Sequence, residues 1–123
     1  PLKGVTDEIA SPTWTADLAA GIAALVRGAP FGIYHLTNSG YCSRLEWVQE
    51  ILRLAGLGDV TVEPTSQREF GAPDRKPAVS ALANGHAAGR GIERRPGQEA
   101  LEEHLRRSRS ESGAAAPAPQ VNR

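Results

Sequence analysis

An α/β fold is predicted by three features of the sequence. Phe31-Gly32-Ile33-Tyr34-His35-Leu36 mixes β-branched, aromatic and apolar residues, as a mostly buried strand does. Asn38-Ser39-Gly40 then supplies turn residues that tolerate positive φ. Beyond the turn, Leu45, Val48, Leu52 and Ala55 recur at helical spacing, with Ile51 widening the apolar stripe. Strand, glycine turn and amphipathic helix make one half of an α/β layer.

The central helix carries its own boundaries. Ser43 followed by Glu46 is a capping box, in which the hydroxyl accepts the Glu46 N–H and the Glu side chain reaches back. Cys42 and Trp47 stand at the N′ and N4 positions of that cap, and Gly56 stands where a left-handed residue ends a helix.

The remaining elements follow in chain order. Leu2 to Thr6 reads as a short strand, and Asp7 to Thr13 as the loop leaving it. Thr15 is the expected N-cap of a helix whose stripe is Leu18, Ile22, Leu25 and Val26, with Asp17 in the first turn and Arg27-Gly28 at the end. Val60-Thr61-Val62 alternates as a brief strand that stops at Pro64. Ser66 and Glu69 cap one short helical turn, because Gly71, Pro73 and Pro77 forbid a longer element. A weak helix begins at Leu82-Ala83-Asn84 and ends at Gly89 or Gly91. Pro96 opens a last helix through Ala100, Leu101 and Leu105. From Arg106 to Arg123 the Arg/Ser/Ala/Pro composition lacks periodicity, and disorder is expected.

Composition narrows the function classes. The chain has 123 residues, enough for one domain, with two Phe, two Trp and two Tyr to build its core. Fourteen basic residues balance fourteen acidic ones, so no global field argues for nucleic acid or an anionic membrane. Cys42 is the single cysteine and has no internal disulfide partner. No apolar run approaches the length of a membrane span, and Pro1-Leu2-Lys3-Gly4-Val5-Thr6 does not read as a signal-peptide core. With no methionine anywhere, the chain reads as an excised piece or partial reading frame.

No GxGxxG after a strand, P-loop, HExxH or paired CxxC is present. Arg90 to Arg95 and the arginines beyond read as a solvated stripe, since no aromatics interleave for base stacking. His35 reads as a sheet histidine, and His86 and His104 as surface residues. Tyr34 and Tyr41 are followed four residues later by Asn38 and Leu45, so neither makes a Tyr-x-x-x-Lys pair. Arg75 and Lys76 stand out, because Pro73 and Pro77 stiffen their loop. Arg75 there offers a bidentate grip on a phosphate and Lys76 a point charge; the alternative is a surface ion pair with Asp74.

Three stretches stand in order over about residues 1–105. They are Asp7-Glu8-Ile9-Ala10-Ser11-Pro12-Thr13-Trp14-Thr15-Ala16-Asp17-Leu18-Ala19, then Gly32-Ile33-Tyr34-His35-Leu36 with Gly40 and Ser43, then Ala72-Pro73-Asp74-Arg75-Lys76-Pro77-Ala78-Val79-Ser80-Ala81-Leu82. Together they resemble the C-terminal portion of dTDP-4-dehydrorhamnose reductases, of the extended short-chain dehydrogenase/reductase group. The family's counterparts read D-Q-x-G-S-P-T-aromatic-x-x-D-L-A, G-x-Y-H-hydrophobic before a serine-capped helix, and A-x-R-P-x-x-S-x-L. Glu8 stands here for Gln, Ala10 for Gly, Lys76 for Arg, Val79 for Asn, and Gly97 for a Trp after Arg95-Pro96.

The resemblance implies a C-terminal fragment of a Rossmann-type enzyme, with short strands, three to five helices and a disordered tail. Residues 1–105 would form the sheet edge and substrate-binding lobe, and 106–123 the tail. The parent would be a cytoplasmic oxidoreductase of dTDP-rhamnose biosynthesis, using NADPH to reduce the C4 ketone of a nucleotide-sugar. Its cofactor half and catalytic Thr/Ser, Tyr and Lys would lie upstream, leaving this chain inactive alone. Arg75, Lys76, Pro12 and Thr13 are the expected substrate-binding residues, and no catalytic, cofactor-binding or metal-binding residue is expected. The expected partner is the nucleotide-sugar, with homodimerisation of the parent a further expectation and no role for nucleic acid or membrane. The alternative is a non-catalytic, regulatory homologue that binds NAD(P) or a sugar-nucleotide.

Overall fold

The computed structural model describes residues 1–113. Its architecture is mixed α/β, as expected, with five helices around two small sheets. Strand β1 (Leu2–Val5) runs parallel to β4 (Val62–Thr65), with Leu2 opposite Val62 and Val5 opposite Thr65. The ladder passes Pro64, which faces Gly4, instead of stopping there. A two-stranded ladder leaves β4 an open edge, where a proline's missing N–H is tolerated.

Segment 7–13 was expected to be all loop, but Ile9–Ala10 forms β2, antiparallel to β3 (Cys42–Ser43). Ile9 also binds the far end of the proline loop: its N–H donates to the Ala78 carbonyl at 2.8 Å, and its carbonyl accepts the Ser80 N–H at 2.8 Å.

Helix α1 spans Thr15–Val26, so its N-cap is Trp14, one residue before the expected Thr15. The reason is tertiary: the Trp14 N–H donates to Asn38 Oδ1 at 2.8 Å, which supplies the cap from 24 residues away. The expected stripe is not buried as a stripe. Gly21 is the helix's buried residue, while Ile22 and Val26 are 49% and 78% exposed. Arg94 lies under Gly21 beside Leu36, its Nη1 donating to the Asp17 carbonyl at 2.7 Å.

The central strand expected at Phe31–Leu36 does not form, and Phe31 and Ile33 face solvent. β-propensity yields a strand only where a ladder is available, and no strand among the described residues pairs with this segment. Side chains hold it instead. Tyr34 stacks on His86 with ring centres 4.4 Å apart, and His86 Nδ1 lies 3.1 Å from the Ile33 carbonyl. Asn84 accepts the Thr37 N–H at 2.9 Å and donates back to the Thr37 carbonyl at 3.0 Å, acting as a one-residue strand partner.

Helix α2 (Arg44–Ala55) follows the sequence closely. Both halves of the Ser43/Glu46 capping box are made. Gly56 closes the helix at φ 78°, ψ 21°, with Leu57 N–H on the Leu52 carbonyl and Gly56 N–H on the Arg53 carbonyl, a Schellman ending. The helix lies directly against β1: a Cβ on Gly4 would stand 2.8 Å from Leu45 Cα, so only glycine permits this approach.

The short α3 (Gln67–Phe70) has the expected Ser66/Glu69 box and a left-handed Gly71. Helix α4 (Gly85–Ala88) starts after Asn84, not at Leu82, because the Asn84 side chain is engaged at Thr37. The last helix, α5, runs Gly97–Gly113, eight residues past the expected end at Leu105. The expectation of disorder from Arg106 is therefore corrected for 106–113. Arg107 pairs with Glu103 one turn back, and Arg109 Nη2 donates to the Leu54 carbonyl of α2 at 2.8 Å, so polar contacts extend the helix where apolar ones run out. The rest of that expectation, 114–123, lies outside the described residues. The buried apolar core is small: Val5, Ala87, Ala100 and Leu101.

Candidate functional site

A cleft of about 870 Å³ opens between β1, the start of α2, α3 and the loop 71–78. Each wall has a local cause. The Ser43 cap fixes the first turn of α2 and so Arg44. The Ser66 box and left-handed Gly71 turn α3 into the loop, bringing Arg68 and then Arg75 and Lys76 to the rim. The loop's far end is tied at Ala78 and Ser80 to Ile9. Pro73 and Pro77 restrict the backbone between.

The lining carries five cations, Lys3, Arg44, Arg68, Arg75 and Lys76, against three carboxylates, Asp7, Glu8 and Asp74. Two of the carboxylates are engaged. Asp7 Oδ1 accepts the Gln67 N–H at 2.8 Å. Glu8 is buried, and its Oε1 accepts from Arg44 Nε at 2.9 Å, with Lys76 Nζ at 4.0 Å. Arg75 forms no salt bridge with Asp74 among the described residues, so the surface-pair alternative is not what this structure holds. The cleft presents unneutralised positive charge beside apolar surface from Val48 and Phe70.

Of the expected substrate residues, Arg75 and Lys76 share this cleft, whereas Pro12 and Thr13 do not line it. Pro12 borders a separate cavity of about 200 Å³ with Tyr41, Trp47 and Gly97. The Thr13 hydroxyl donates to the Ser11 carbonyl at 3.0 Å and accepts the Asn38 N–H at 3.1 Å, a joint between segments. Lys3, Arg44 and Arg68 had no local sequence signal as site residues, since the β1–β4 and β2–β3 pairings and the position of α3 bring them to the cleft.

The chain's own carboxylates occupy the first turns of α2 and α3. The Ser43 backbone N–H, then its hydroxyl, hold the Glu46 carboxyl below its usual range, and Ser66 does the same for Glu69. At the start of α1 the Trp14 N–H is bound by Asn38. Among the described residues no GxGxxG turn leads from a strand into a helix, the arrangement that seats a dinucleotide pyrophosphate. Burial pushes the Cys42 thiol up, keeping it protonated and a poor nucleophile. Among the described residues no three His, Cys, Asp or Glu side chains are placed to hold a metal, and no helix is long and apolar enough to cross a membrane.

The family model for the RmlD substrate binding domain matches residues 1–110. The chain belongs to that family. Among relatives, the spore coat polysaccharide biosynthesis protein SpsK of Bacillus subtilis is 39% identical over 104 residues, which are 85% of this chain and 36% of that protein. A dTDP-4-dehydrorhamnose reductase of Streptomyces griseus is 38% identical over 94 residues, 72% of this chain and 31% of its own length. Among solved structures, the dTDP-4-dehydrorhamnose reductase of Clostridium acetobutylicum superposes with a TM-score of 0.82 at 33% identity, over 88% of this chain and 39% of that one. The reductase of Bacillus anthracis, solved in complex with NADP, gives 0.76 at 34% identity, over 84% and 36%. This RmlD substrate binding domain thus spans about a third of the length of the curated relatives it matches. The resemblance read from the three sequence stretches and the α/β fold both stand.

Proposed function

We propose that this chain is the nucleotide-sugar-binding portion of an NADPH-dependent, cytoplasmic dTDP-4-dehydrorhamnose reductase, and that the basic cleft receives the diphosphate. The observation that carries the reading is Arg75. It stands on the rim of a large cleft, between two prolines, with no acidic partner among the described residues. A diphosphate needs paired donors, and a guanidinium supplies them in a planar fork. Lys76, Lys3 and Arg68 add point charges around it. The backbone restriction lowers the ordering cost of binding.

Hydride transfer lies outside the chemistry of these residues. The cofactor supplies the hydride when bound, and this lobe's part is to hold the sugar-nucleotide in place. The chain alone is therefore a binder without turnover.

The test is Arg75→Ala in the intact protein that carries this chain. A charge-assisted hydrogen bond contributes about 1.5–3 kcal/mol, so the Kd for the sugar-nucleotide should rise roughly tenfold or more. NADPH affinity should stay nearly unchanged, and Arg75→Lys should recover only part of the loss. Equal sugar-nucleotide affinity in Arg75→Ala and wild type, measured by calorimetry, would overturn the assignment.

A further inference from the structure

Glu8 is an anomaly in a cleft built to attract anions. It is 8% exposed and lines the cleft floor. Its Oε1 atom faces two of the five cations, Arg44 Nε at 2.9 Å and Lys76 Nζ at 4.0 Å. Its carbonyl also accepts the Arg44 N–H at 3.2 Å, so backbone and side chain both hold the start of α2. On the other side, the residue after it, Ile9, is hydrogen-bonded to Ala78 and Ser80, which fixes the loop carrying Lys76. One buried carboxylate thus sits where β1, α2 and the proline loop meet.

A carboxylate there acts in two ways on an incoming phosphate. It repels the anion directly, and it draws the Lys76 ammonium toward the floor. Lys76 is 55% exposed in its side chain, and at 4.0 Å the pair is a loose one, so the ammonium is biased and not locked. Arg75 has no such tether. The five cations therefore divide into a held set, Arg44 and Lys76, and a free set, Lys3, Arg68 and Arg75.

We propose that Glu8 is a positioning residue that sets how much of the cleft's positive charge reaches an anionic ligand, by holding Lys76 back while leaving Arg75 free. This deepens the reading of the cleft as a diphosphate site and rests on it. It assigns unequal roles to two adjacent cations: Arg75 contacts the phosphate, and Lys76 contributes a field that Glu8 attenuates.

The experiment is a double-mutant cycle on the intact protein, with dTDP as the probe and its Kd read by calorimetry. Lys76→Ala should weaken binding by less than about twofold, because the ammonium is drawn toward Glu8 and its charge is partly offset there. Glu8→Gln should tighten binding by about three- to fivefold, as a repulsive charge is lost and Lys76 is released. In the Glu8→Gln background, Lys76→Ala should then cost about two- to threefold more than it does in wild type, while the part of the gain owed to the lost repulsion and to Arg44 remains. That coupling in ligand affinity is a readout a merely structural Glu8 would not move. Lys76 is exposed, so its variant tests the idea even if Glu8→Gln does not fold. Unchanged or weaker dTDP binding in Glu8→Gln, or a Lys76→Ala loss as large as that of Arg75→Ala, would overturn the inference while leaving the diphosphate site standing. No dTDP binding by wild type, or no effect of Arg75→Ala, would overturn both.

Discussion

Asp17 gathers three elements with one carboxylate. Its Oδ2 accepts from Asn38 Nδ2 at 2.6 Å and Arg95 Nε at 2.8 Å, and its Oδ1 accepts from Arg95 Nη2 at 2.9 Å. Asn38, 1% exposed, returns the favour to α1 through the Trp14 N–H. Arg95 reaches on to Glu103 of α5 at 2.6 Å, and Arg95 and Arg107 both lie over the Trp14 ring. Asp17→Asn keeps the shape but removes the charge, and should cost roughly 2 kcal/mol of stability at neutral pH. The pair also sets a pH dependence. The Arg95 hydrogen bonds hold the Asp17 carboxyl below its ordinary 3.8, against the opposing effect of burial. A carboxylate with a depressed folded pKa contributes stability that is complete above the unfolded value and fades as pH falls through it toward the folded one. As pH falls from about 5 through the unfolded value of 3.8 and below, the melting temperature of wild type should therefore fall more steeply than that of Asp17→Asn. Parallel curves would show that Asp17 does not carry this dependence.

At the scale of elements, helix α2 is the part that local rules govern. Its capping box, left-handed end and half-buried stripe were all legible, because each depends on residues within a turn of one another. Ser43→Ala removes the acceptor of the Glu46 N–H and should destabilise the domain by about 1 kcal/mol in chemical denaturation. A shift of only a few tenths would mean that the Glu46 arm alone secures the cap. The segment Phe31–Leu36 is the contrary case, because its composition favours a strand but a strand needs a neighbour. Helix α5 shows a third outcome: a polar run judged too poor in apolar residues is helical to Gly113, held by Glu103–Arg107 and by Arg109 on the end of α2.

For the whole molecule, the decisive property is a division of labour between a polar hub and a basic cleft on a thin apolar core. Glu46 and Glu69 occupy the first turns of α2 and α3, and among the described residues no GxGxxG turn opens a helix to seat a dinucleotide pyrophosphate. The isolated chain is expected not to bind NADPH tightly, and a fluorescence titration giving sub-micromolar affinity would refute that.

The sequence by itself determined the α/β class, the two capping boxes, the glycine ends of α2 and α3, and the family, since three spaced stretches carried it. It also singled out Arg75 and Lys76, through the prolines that flank them. The tertiary structure alone decided that Asn38 caps α1, that Arg94 and Arg95 lie beneath that helix instead of on a solvated stripe, and that Glu8 faces Lys76 across the cleft floor. Those partners are 24 to 78 residues apart in the chain. Capping and turn chemistry act within a few residues and leave their mark in the local pattern. A hydrogen bond or ion pair between distant segments depends on where the backbone has carried both ends, and no local pattern encodes that.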